Sequence, residues 1–235
     1  MNDLGAAFGQ AFRLMLTLDS GLTEIVVLSL YVSLTAVAVA IVIGMPLGAA
    51  LAVFRFPGRA PLSILLTAMM GLPPVVVGLV VYLMLSASGP FGVLGLLYTP
   101  TAMIIAQSLL VIPIVAALTR QVVADLHKEY DEYLRSLGAS RVSVLGTLLW
   151  DARFSLSTAA LAGLGRAFAE VGAVMIVGGN INHLTRVMTT AITLETSRGE
   201  LALALGLGLI LIALSVLITT ALTGVQRMAE RRAYA

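Results

Sequence analysis

Residues 60–119 form a stretch of 60 positions without one Asp, Glu, Lys or Arg. A second such stretch, residues 25–54, covers 30 positions. An ionised side chain at the centre of a membrane helix costs about 2.5–3.5 kcal/mol on the insertion scale, so charges punctuate a membrane chain. A soluble domain carries roughly 25% charged residues and leaves most of its residues in touch with water. Here only 11% of the 235 residues are charged and 59% are hydrophobic, with a mean hydropathy of +1.02. The chain reads as an integral membrane protein in a lipid bilayer. A disordered chain, a nucleic-acid binder and a disulfide scaffold are excluded. There is no Cys, so disulfides, thiolate metal sites and a Cys nucleophile are ruled out.

The charges mark five spans: residues 25–54, 62–85, 100–119, 155–177 and 201–225. Arg55-Phe56-Pro57-Gly58-Arg59 is a short basic turn. Ser86-Ala87-Ser88-Gly89-Pro90-Phe91-Gly92 is dense in turn formers and splits the 60-residue run. An apolar stretch, 93–98, then lies near the interface. Residues 178–200 read as mixed and polar. Five spans place the termini on opposite sides. With the tail inside, the inner segments hold ten Lys/Arg against three outside, Arg13, Arg186 and Arg198. The positive-inside rule then gives an outer N-terminus and a cytoplasmic C-terminus. Residues 1–21 lack the marks of a signal peptide. Phe8, Phe12, Met15 and Leu16 share one helical face, which suits a short helix at the outer interface. The expected organisation is an outer interfacial segment (1–21), a transmembrane domain (22–225) and a cytoplasmic tail (226–235).

Residues 120–153 are nearly charge-balanced, with five Lys/Arg and five Asp/Glu. Val122, Val123, Leu126 and Tyr130 recur at helical spacing, as do Tyr133, Leu134 and Leu137. Gly138 can take a left-handed conformation and end a helix cheaply. Ser140 can cap a new helix starting near Arg141. The segment predicts two helices joined by a tight Gly turn on the cytoplasmic side. An elbow with an apolar face needs a partner to bury it; the alternative is a solvated loop.

Here the chain resembles the permease subunits of binding-protein-dependent ABC importers. Their cytoplasmic loop carries Glu-Ala-Ala, three residues, Gly, nine residues, Ile, one residue, Leu-Pro. Glu132 and Gly138 match at that spacing, and Leu148 stands at the Ile position. Tyr133-Leu134 replace the two Ala, and Trp150-Asp151 replace Leu-Pro. Gly71-Leu72-Pro73-Pro74-Val75-Val76-Val77-Gly78 and Glu170-Val171-Gly172-Ala173 are similar to the molybdate and tungstate permeases. With Thr99-Pro100-Thr101-Ala102-Met103 they are most similar to the tungstate branch.

The resemblance implies an all-α, five-span type I importer fold with a cytoplasmic coupling helix. It implies a homodimer, a cytoplasmic ABC ATPase dimer and an extracytoplasmic substrate-binding protein. Tyr130, Glu132, Arg135, Gly138, Ala139, Ser140 and Arg141 are the implied ATPase-coupling residues. Pro73, Pro74, Val76, Arg166, Glu170 and Gly172 are the implied path or gate. The sequence has no Gly-x-x-x-x-Gly-Lys-Ser/Thr loop. ATP and Mg are therefore expected on the partner, with no cofactor, metal or catalytic residue in this chain.

Each path residue has a plainer reading. Pro73-Pro74 removes two backbone donors in mid-span, which either shapes a path or only kinks the packing. Arg166 and Glu170 are four apart and would share one helical face. They either serve the path or form a structural ion pair. Gly178-Gly179-Asn180 ends the fourth span, and the loop with His183 and Arg186 either meets the binding protein or is merely solvated. The function expected is translocation of an oxyanion, tungstate ahead of molybdate, by alternating access. The alternatives are an ABC permease for another solute, such as sulfate or an amino acid, and an ATPase-independent secondary transporter. The absence of an inverted repeat counts against the last.

Overall fold

The computed structural model describes residues 20–233. The helix expected around Phe8, Phe12, Met15 and Leu16 lies outside the described residues. In chain order the elements are α1 (Ser20–Val53), α2 (Arg59–Met69), α3 (Pro74–Leu85), a 3-10 turn (Gly92–Leu94), α4 (Pro100–Ser136), α5 (Arg141–Asp151), α6 (Arg153–Phe168), α7 (Gly172–Gly178), α8 (Met188–Arg198) and α9 (Leu201–Ala233). Every regular element among the described residues is helical. Among the described residues three helices, α1, α4 and α9, are long and apolar enough to cross a membrane. The number rises to as many as five when α2 with α3, and α6 with α7, each count as one broken span.

Four sequence expectations change here. The second span is two helices rather than one kinked helix. Pro73 stands at the N-cap of α3 with ψ 123°, and Pro74 is the first helical residue. A proline forces its predecessor out of the helical region, so two in succession stop one helix and preorganise the next. The fourth span is also broken, between Phe168 and Gly172. The third span and the first helix of the elbow are one element, because α4 runs on past Thr119 to Ser136, 37 residues in all. No Pro or Gly follows Pro113 until Gly138, so nothing local stops it. The polar stretch 178–200 holds a further helix, α8.

The described chain divides into two compact units. One takes in the chain up to Thr35, Pro73–Gln107 and Ala167–Thr223; the other takes in Ala36–Leu72, Ser108–Arg166 and the chain from Gly224. In the first unit Leu22 of α1, Met188 and Ala191 of α8, and Leu207 of α9 form a buried cluster. In the same unit α3 packs on α7. A β-carbon at Gly78 would lie 2.7 Å from the Ala173 Cα, so only Gly allows this approach. In the second unit Ala49, Ala52 and Val53 at the end of α1 pack with Val123, Val144 and Leu148. Val123 and Leu148 are fully buried, each contributing roughly 1.5–3 kcal/mol.

Candidate functional site

The elbow belongs to the second unit. α4 carries the chain to Ser136, and Gly138 then turns it at φ +65°. The Ala139 N–H donates to the Leu134 carbonyl at 3.2 Å, and the Leu137 N–H to the Tyr133 carbonyl at 3.3 Å. These bonds satisfy carbonyls that the helix end leaves over, as a left-handed glycine stop requires. Ser140 is extended, and its hydroxyl accepts the Ser143 N–H at 3.2 Å. α5 starts one residue later, at Arg141. The helix, Gly turn and capped helix expected from sequence are present.

Which residues face outward is less regular. Glu132, Gly138, Ser140 and Arg141 are exposed, whereas Tyr130 and Ala139 pack against the elbow's own core. Arg135 lies in the last turns of α4. The outward apolar surface comes from Tyr133, Leu137 and Val142, exposed by 65%, 64% and 73%. Sequence reasoning left these three out of the coupling set. The signal was available: Tyr133 and Leu137 are four apart, and Val142 follows the cap. A cavity of about 430 Å³ opens at the elbow, lined by Val53, Arg55, His127, Asp131, Arg141 and Val144 among others. At the α5–α6 junction the Arg153 guanidinium lies over the Trp150 and Phe154 rings, at 4.8 and 4.4 Å. It also donates to the Trp150 carbonyl at 2.7 Å.

The path candidates divide between the units. In the first, α3 and α7 are short helices that start side by side. A β-carbon at Gly172 would lie 2.9 Å from Val75 Cγ2, which fixes how closely the two starts approach. Glu170 is 2% exposed. Its Oε1 accepts the Ala173 N–H at 2.9 Å. A carboxylate here meets an otherwise unsatisfied donor and the positive end of α7. The Thr189 hydroxyl donates to the Glu170 carbonyl at 2.8 Å. Gln107 Nε2 donates to the Ala167 carbonyl at 2.7 Å, holding the residue before the break. The cavity beside these groups is about 20 Å³, enough for one water-sized sphere and no chamber for a larger ligand.

α6 ends at Phe168, so Glu170 lies beyond it. A shared helical face for Arg166 and Glu170 needs a continuous helix, which α6 does not supply. Arg166 sits in the last turn of α6, in the second unit. Val76 is 51% exposed on α3, and Pro73 is exposed with Pro74 half-buried. Sequence reasoning missed Gln107 and Thr189, which hold the break through side-chain bonds that no spacing rule reveals.

The loop after α7 also belongs to the first unit. His183 Nδ1 lies 2.7 Å from Glu24 Oε2 at the start of α1. Asn180 and His183 take φ of +50° and +59°. The Tyr98 N–H donates to the Val177 carbonyl at 3.0 Å. A hydrogen bond with the Tyr82 side chain raises the Tyr98 phenol above its ordinary range, and burial adds to the effect.

Comparisons with known proteins bear on both regions. The family model described as "binding-protein-dependent transport system inner membrane component" matches residues 40–233. The tungstate uptake system permease protein of Peptoclostridium acidaminophilum is 38% identical over 226 residues, 96% of this chain and 99% of the relative. A probable anion ABC transporter permease protein of Haloferax volcanii is 39% identical over 215 residues, 89% and 90% of the two chains. The sulfate transport system permease protein of Salmonella typhimurium is 28% identical over 189 residues, 76% and 67%.

Proposed function

Because the chain belongs to the family of inner membrane components of binding-protein-dependent transport systems, we propose that it is the permease subunit of an ABC importer for tungstate. The observation that carries the substrate is 38% identity to a tungstate permease along almost the whole of both chains. The sulfate permease is more distant, at 28%. Family membership implies an ATPase and a binding protein as partners; ATP hydrolysis belongs to the ATPase.

Two copies of the chain frame a central path. The elbow at Gly138 projects into the cytoplasm and seats Tyr133, Leu137 and Val142 in the ATPase, with Glu132 and Arg141 beside them. Nucleotide binding draws the two ATPases together and the elbows follow. A 37-residue α4 supports this reading, since one unbroken rod carries the elbow's movement back to the membrane. The binding protein delivers the anion on the far side, near the loop with His183. Nucleotide acts as the ligand that favours one of two global states.

The test is tungstate uptake into proteoliposomes holding the permease, its ATPase and the binding protein. Uptake is expected only with both ATP and the binding protein. Equal uptake without the ATPase sinks the importer reading. A preference for sulfate or molybdate at equal concentration sinks the substrate assignment.

A further inference from the structure

The second unit carries an open groove of about 910 Å³, formed by one side of α2, the turn before it and Arg120 of α4. Its polar lining includes Ser63, Thr67, Arg59 and Arg120. Among the described residues that line it there is no carboxylate, and the charged side chains are two arginines. The two are not equivalent. Arg59 is committed to the end of α1, with Nε donating to the Leu51 carbonyl at 2.7 Å and an Nη to the Ala52 carbonyl at 3.0 Å. Arg120 has a buried Nε with no partner among the described residues. A guanidinium fork matches the edge of a tetrahedral oxyanion, and a buried donor without an acceptor calls for an explanation.

We infer that this groove binds a tetrahedral oxyanion through Arg120, with Arg59 adding charge, and that the transported anion rests there in its passage. The inference rests on the proposed importer reading and adds a substrate-contacting residue to it. Of the two guanidiniums on this wall, only that of Arg120 has an Nε without a partner among the described residues. The Thr67 hydroxyl donates to the Ser63 carbonyl at 3.0 Å and is spent as a donor. The site is therefore shallow and weak, as a conduit needs if it is to release its ion.

The test uses the whole permease–ATPase complex in neutral detergent and an arginine-selective dicarbonyl reagent, with modification read at each arginine by mass spectrometry. Tungstate is expected to slow modification of Arg120 by about tenfold relative to chloride at matched ionic strength. The exposed Arg227 serves as internal reference and keeps its rate. An unchanged Arg120 rate, or equal slowing by chloride, overturns the site. Protection that needs added phosphatidylglycerol and ignores tungstate overturns it in favour of a lipid phosphate. In proteoliposomes, Arg120→Gln is expected to cut uptake about tenfold with binding-protein-stimulated ATP hydrolysis retained, and Arg120→Lys to keep part of it. Normal uptake by Arg120→Gln also overturns the inference. Protection of Arg120 in a complex that takes up no tungstate defeats the importer reading and leaves the anion site standing.

Discussion

Gly138 shows how much can turn on one residue. At φ +65° it has no neighbour within 4 Å of where a β-carbon would stand. Substitution there is therefore a matter of backbone strain rather than crowding. A branched residue in that conformation costs about 1–2 kcal/mol, while Asn tolerates it. Gly138→Val is expected to lose most uptake and to weaken capture of the ATPase, and Gly138→Asn to keep both near the starting level. The measurement is uptake alongside co-purification of the ATPase. If both variants behave like the parent, the turn has no part in coupling. This residue was legible in advance, since a glycine followed by a capping Ser between two amphipathic runs is a local signal. Tyr130 was not. The resemblance put it in the coupling set, yet it packs against the buried cluster to which Val123, Val144 and Leu148 belong. A face can be read from periodicity, but which side of it meets the core depends on where α1 and α5 lie.

At the level of the element, α4 matters most. It runs from membrane to elbow with its interior proline at Pro113 and no breaker after it. Gln121 lies in the middle and is exposed, so changing its side chain alone should be harmless. Gln121→Pro removes a backbone donor and costs about 3 kcal/mol locally. The expected outcome is fewer tungstate ions moved per ATP hydrolysed, with Gln121→Ala unchanged. Uptake and phosphate release measured on one preparation decide it, and full coupling in the proline variant defeats the rigid-rod reading. The broken spans teach the complementary lesson. The Pro73-Pro74 break was marked in the sequence as a distortion, although its full depth was not. The break before Gly172 has no proline. The Glu170 carboxylate caps it locally on the Ala173 N–H, and tertiary partners hold the rest: the Thr189 hydroxyl on the Glu170 carbonyl, and Gln107 on the Ala167 carbonyl.

For the whole molecule, the open quantity is its sense in the membrane. The chain has no Cys, so single cysteines can be introduced without background. Val142 is exposed on α5 and Asn182 is exposed in the loop after α7. In intact cells an impermeant maleimide is expected to label Asn182→Cys and to leave Val142→Cys untouched until the membrane is opened and the ATPase stripped away. The reverse pattern inverts the topology and removes the elbow from any cytoplasmic ATPase. The bias of Lys/Arg toward one set of loops fixes this expectation, because insertion responds to charge near the span ends.

That the chain belongs in lipid, where its long apolar runs lie and where the elbow turns were all legible in the linear order of residues. Solvation free energy and local torsional preference act on residues close in the chain, so those properties are written in order along it. Placement of the helices in space was needed to see that Thr189 and Gln107 hold the break before Gly172, where no proline stands. The same holds for the Arg120 Nε, which has no partner among the described residues and belongs to a groove whose described lining holds no acid. Each of these depends on which groups distant in sequence meet, and a hydrogen bond or an unsatisfied charge exists only once the helices have been placed.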